Sequence, residues 1–86
     1  MPKSEHATQE WTLASVGAGV VVVVTDVQAE HAQSLLVHGI RPGARLVVDA
    51  DAPFGGPRIV RIGGCRVAVD RGLARTVRVA YAADPR

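Results

Sequence analysis

The sequence predicts a mainly β fold, a small β-barrel of about five strands with one short helix after the first long strand. Three observations lead there. Of the 86 residues 48% are hydrophobic but only 3% aromatic, so the core is made of Val, Leu, Ile and Ala. Branched aliphatic side chains suit a pleated surface. The apolar residues also fall in short runs divided by glycine and proline, at Gly17-Ala18-Gly19, Pro42-Gly43, Pro53 to Pro57 and Gly63-Gly64. Finally, only one window carries helical periodicity. Short strands joined by tight turns favour a closed sheet, because closure removes edge strands that would otherwise pair with other chains. The length suits a single domain.

The elements follow in order. Residues 1–11 read as a flexible N-terminal tail, residues 12–82 as the barrel domain and residues 83–86 as a C-terminal tail. Leu13 and Val16 are placed to tuck under the barrel. Val20 to Val27 is the first long strand, and its five consecutive valines imply burial on both faces or a cover over one. Glu30 to His38 is the helical window, with Ala32, Leu35 and Leu36 on one face. Gly39 supplies the left-handed stop and Pro42 cannot continue the helix. Arg45 to Asp51 alternates, with Leu46, Val48 and Ala50 on one face and Val47, Asp49 and Asp51 on the other. Arg58 to Ile62 is the third strand. Cys65 to Val69 is the fourth, with Cys65, Val67 and Val69 inward. Asp70 is placed to cap a helical turn reaching Arg75. Thr76 to Tyr81 closes the sheet, with Val77, Val79 and Tyr81 on one face.

The charge balance excludes more than it suggests. The formal net charge is +2, and the nine arginines and one lysine are scattered. Scattered arginines mark solvated sheet faces. A nucleic-acid groove would need a basic stripe with stacking aromatics, and Trp11, Phe54 and Tyr81 form no such platform, so no nucleic acid is expected. No run approaches the length of a membrane span. The apolar stretch from Leu13 to Thr25 follows no positive region and is broken by two glycines, so a secretory leader is not expected. Cys65 is the sole cysteine, which suits a reducing compartment.

No catalytic constellation emerges, so the chain is read as a non-enzyme without a cofactor. Ser34 and His38 have helical spacing but lack a base-orienting acid and an oxyanion hole. Gly17-Ala18-Gly19 precedes a strand, which fails the test for a dinucleotide fingerprint. His31 and His38 lie about two helical turns apart, too far to share one ion unaided, so no metal site is assigned. Cys65 reads as a small buried hydrophobe. Two features remain. Phe54 sits at a turn tip, where it either anchors a partner or folds over the barrel's open end. Leu35, Leu36, Val37, His38 and Ile40 make the helix end unusually apolar. One helical face cannot bury Leu35, Leu36 and Val37 together, so this end is a candidate contact patch.

The order of these signals resembles the FeoA family. The leucine-rich helix end, Leu35-Leu36, is followed by Gly39, Ile40 and Pro42-Gly43. Ala52-Pro53-Phe54-Gly55 matches the family's turn. Gly64 and Arg66-Val67-Ala68-Val69 match the next strand, and Ala74 with Val77 to Val79 matches the close. The resemblance spans Leu13 to Val79. The chain departs from it at His38, where the family carries Leu or Met, and at Val37, where it carries a polar residue. The resemblance implies an SH3-like barrel and a cytoplasmic accessory protein of ferrous iron transport. Such a protein would bind and modulate the cytoplasmic part of a FeoB-type transporter, meeting the membrane only through it. Leu35, Leu36, Val37, His38, Ile40 and Phe54 are then the candidate contacts. Two alternatives carry other functions. One is a free-standing partner of an iron-dependent transcriptional repressor. The other is weak transition-metal binding through His31, His38 or Cys65, shared between chains. A homo-oligomer is compatible with each.

Overall fold

The computed structural model describes residues 11–82. The expected tails at residues 1–10 and 83–86 lie outside the described residues. Six strands form one antiparallel sheet: β1 (Trp11–Thr12), β2 (Val21–Val27), β3 (Arg45–Asp51), β4 (Arg58–Ile62), β5 (Cys65–Val69) and β6 (Val77–Tyr81). Their order is β1-β6-β2-β3-β4-β5. Two short helices, α1 (Ala32–Leu36) and α2 (Arg71–Ala74), join β2 to β3 and β5 to β6. Trp11, assigned to the tail by sequence, is instead paired with Val79 in β1. Its ring meets Tyr81 edge-on, with centroids 5.2 Å apart.

Local signals set most turns. Gly63 and Gly64 both have positive φ, at 58° and 87°, and Ile62 pairs with Cys65 across them. That is the two-residue hairpin whose twist matches its strands. The Asp70 side chain accepts a hydrogen bond from the Gly72 amide at 2.9 Å, capping α2. The helical window predicted over 30–38 is shorter. A 3-10 turn, Ala29–His31, leads into the five residues of α1.

The core draws on every strand from β2 to β6. Val22 and Val24, Leu46 and Val48, Val60, Val69, Val77 and Val79 are buried together with Leu13, Val16, Leu35, Ile40 and Ala74. The five-valine run is not covered on both faces. Val22 and Val24 are buried, Val23 is half-buried, and Val20 and Val21 are exposed. The run therefore behaves as a half-buried strand, because its neighbours β3 and β6 offer a core on one face only.

Two bulges adjust the alternation. In β2 the register shifts between Val24 and Asp26, so Val27, out of phase with Val24, packs against the core. In β3 the shift falls between Val48 and Ala50. Ala50, expected beside Leu46 and Val48, is exposed instead. An extra residue in one strand reverses the side-chain parity beyond it.

The ladder does not close into a barrel. β1 and β5 remain edges, so the expected closure by pairing does not occur. Arg58 bridges the gap. This residue is only 5% exposed. Its Nη1 donates to the carbonyls of Leu13 and Val16 at 2.8 and 2.7 Å. Its Nε donates to Asp51 Oδ1 at 2.7 Å, with Nη2 to Oδ2 at 3.4 Å. The segment after β1 is thereby tied to β4.

Replacing Arg58 with Leu leaves two buried carbonyls without their donor and Asp51 without its main partner. The variant is expected to lose about 2–4 kcal/mol of stability in urea titration, the usual scale for orphaned buried polar groups. A loss below about 0.5 kcal/mol, the scale of an ordinary surface change, would show that the bridge does not hold the seam.

Candidate functional site

The helix end is built by backbone geometry. The Ile40 amide donates to the Leu35 carbonyl at 3.0 Å and the Gly39 amide to the Leu36 carbonyl at 2.8 Å. Gly39 has φ of 83°. This pair of bonds is the Schellman motif, in which residues three before and two after the cap meet as hydrophobic partners. Leu35 and Ile40 are those partners, and both are buried. They hold the patch from beneath and do not line its surface. Leu36 and Val37 turn outward, 53% and 78% exposed, beside exposed His38. A shallow groove of about 280 Å³ runs along the same helix, lined by Ala29, Ala32, Gln33 and Leu36.

The Phe54 turn is built by charge. Phe54 is fully exposed, so it does not fold over the end of the sheet. Its backbone is left-handed, with φ 61° and ψ 36°, which costs a residue with a Cβ roughly 1–2 kcal/mol. A network holds the turn in place. Arg71 Nε donates to the Gly56 carbonyl at 3.0 Å and its Nη2 lies 3.3 Å from Asp51 Oδ1. The Ala52 amide donates to the Pro57 carbonyl at 3.0 Å. The hydrogen bond from Arg58 holds the Asp51 carboxyl below its ordinary value of 3.8. Desolvation opposes this, and the charges of Arg58 and Arg71 reinforce it.

The structure does not bring the two features together. The Phe54 turn precedes Arg58 at one end of β4. At the other end, Ile62 Cδ1 lies 3.8 Å from where a Cβ on Gly39 would sit. Four residues of strand, about 13 Å at the usual rise, separate Arg58 from Ile62. The helix end and the aromatic tip therefore lie toward opposite ends of β4.

The remaining candidates are dispersed. His31 lies 3.4 Å from Glu30, and no group of three or more His, Cys, Asp or Glu able to hold a metal exists among the described residues. Cys65, expected inward, is exposed, because it stands where the hairpin leaves the sheet, beyond the core. Ser34 is exposed and α1 ends at Leu36, before His38. A polar cleft of about 300 Å³ lies between Thr12, Asp26, Gln28, Arg75, Thr76 and Arg78. Sequence reasoning missed the roles of Asp51, Arg58 and Arg71. Opposite charges flanking a Pro-Phe-Gly-Gly turn were the signal for the first two.

The FeoA domain model matches residues 11–81. The crystal structure of an iron uptake regulatory protein, FeoA, is 33% identical with a TM-score of 0.73, over 84% of this chain and 96% of that one. FeoA from Stenotrophomonas maltophilia, solved with zinc and described as a prokaryotic SH3-domain protein, is 29% identical with a TM-score of 0.69. That match covers 81% of this chain and 89% of that one. A manganese-dependent transcriptional repressor bound to manganese has a TM-score of 0.78 at 22% identity. It covers 87% of this chain but 38% of the repressor, so that likeness shows a shared fold alone. No curated protein matches the chain. The fold is SH3-like.

Two measurements check the turn. Phe54→Gly removes no buried surface and relieves the left-handed backbone, against a greater entropy loss on folding. The variant is expected to be as stable as the parent or up to about 1 kcal/mol more so. Because the folded-state value of Asp51 lies below its unfolded value, its contribution is complete above 3.8 and lost as pH falls through the lower folded value. In urea midpoints measured from about pH 7 to about pH 2, Asp51→Asn is expected to flatten the acid limb. An unchanged limb would remove Asp51 from the account.

Proposed function

The chain belongs to the FeoA domain family, and from that premise we propose that it is a non-catalytic accessory protein of ferrous iron transport. It binds the cytoplasmic part of a FeoB-type transporter and modulates it by protein contact. One observation carries this reading. Leu36 and Val37 stand exposed on a helix end that Leu35, Gly39 and Ile40 hold rigid. Covering such side chains contributes about 1.5–3 kcal/mol each when burial is complete, and a preformed backbone loses little freedom on binding. Phe54 is a second anchor. Standing at the other end of β4, it meets either a separate part of the transporter or one that wraps the domain. No helix among the described residues is long and apolar enough to cross a membrane. Docking to the transporter's cytoplasmic part, as proposed, would take place in the cytoplasm.

Calorimetric titration against the cytoplasmic domain of the same organism's FeoB-type transporter, with and without nucleotide, tests the reading. Saturable binding is expected. Leu36→Asp and Val37→Asp are each expected to weaken it at least tenfold, about 1.4 kcal/mol, with circular dichroism unchanged. Absence of binding in both nucleotide states would overturn direct docking to that domain. Unchanged affinity in both variants would move the contact off the helix end.

A further inference from the structure

The edge of the sheet carries an inference independent of the transporter. β1 has only two residues, whereas β5 has five and borders β4 on one side alone. The hairpin determines which of its peptide groups are free. Ile62 and Cys65 flank a two-residue turn, so they are a hydrogen-bonded pair. By alternation Val60–Val67 and Arg58–Val69 are hydrogen-bonded pairs too. Arg66 and Ala68 therefore direct their N–H and C=O groups away from β4. Neither residue's backbone finds another partner among the described residues.

The strand has no proline, bulge or inward-facing charge, three of the devices that discourage edge pairing. Its register with β4 is unbroken. Its single charge, Arg66, points outward and lies 3.2 Å from Asp49, which is also 3.6 Å from Arg61.

We infer that two copies of this chain pair antiparallel through β5, about a two-fold axis at Val67. In this register Arg66 of one copy stands opposite Ala68 of the other. Each such pair exchanges both its N–H and C=O groups, so all four free groups of each edge find partners. Arg66 faces a small side chain and not a second arginine, which a register centred on Arg66 would impose. Val67, half-buried in the single chain, meets its own equivalent and is covered further. The interface is isologous, as two-fold symmetry requires.

Analytical ultracentrifugation in reducing buffer tests the pairing, the reductant excluding a disulfide through exposed Cys65. Wild type is expected to show a concentration-dependent doubling of its 9.0 kDa mass. Ala68→Pro removes an amide that points away from β4, so no internal bond is lost. This variant is expected to keep its thermal midpoint and remain monomeric. A second readout uses Val67→Cys with Cys65→Ser. The two Val67 positions would form a non-hydrogen-bonded pair with Cα atoms about 4.5 Å apart, within disulfide reach of about 4.4–6.8 Å. Mild oxidation should yield a covalent dimer, whereas Ala50→Cys in the same background should not. Wild type that stays monomeric up to its solubility limit overturns the inference and leaves the edge to a strand from another protein. Dimerisation of Ala68→Pro equal to that of wild type, or equal cross-linking at position 50, overturns it as well.

Discussion

Arg58 holds the sheet together where the strand ladder stops. β1 and β5 are not paired with each other, so the seam between the segment after β1 and β4 needs another tie. The planar guanidinium provides it, reaching two carbonyls and a carboxylate at once. A lysine presents a compact point charge and could not match that fork of fixed directions. The tie extends further through Asp51, which also engages Arg71, and Arg71 holds the Gly56 carbonyl. One network therefore closes the seam and sets the turn that displays Phe54. The strain in that turn is stable because the surrounding bonds over-determine it.

What could be read from the sequence was local. Gly39 with Pro42, the glycine pair at 63 and 64, and Asp70 before its short helix each act within a few residues of themselves, and each is found where the pattern placed it. The misreadings share a cause. The bulges in β2 and β3 exist only in relation to a partner strand, so Ala50 was assigned to the wrong face. Cys65 continues an inward alternation in the sequence, but the strand begins beyond the limits of the core. Arg58 resembled its scattered counterparts because nothing near it reveals that Leu13 and Val16 will arrive beside it.

The candidate surface was partly legible for the same reason. The apolar string from Leu35 to Ile40 was visible, but not which members would turn outward. That sorting is done by the capping bonds, which bury Leu35 and Ile40 and release Leu36 and Val37. The family's pattern and the helix stop point to the same backbone, and the chain's own residues at 37 and 38 then decide what that backbone presents. Val37 raises the apolar exposure at the point where the helix ends. His38, exposed beside it, lowers it.

The position of β2 has a consequence for the chain as it is made. β2 lies between β3 and β6, and β6 is the last strand among the described residues. Val22, Val23 and Val24 pair with residues 79 to 81, and Val27 with Val77. Until residues 77 to 81 have left the ribosome, the five-valine run lacks one of its two neighbours. A run of high β-propensity with no charge or proline is the sequence most prone to pairing with other chains while it waits. Non-local pairing of this kind also slows folding. Between synthesis of the valines and arrival of β6 this run is therefore open to pairing with other chains, whatever the stability of the finished fold.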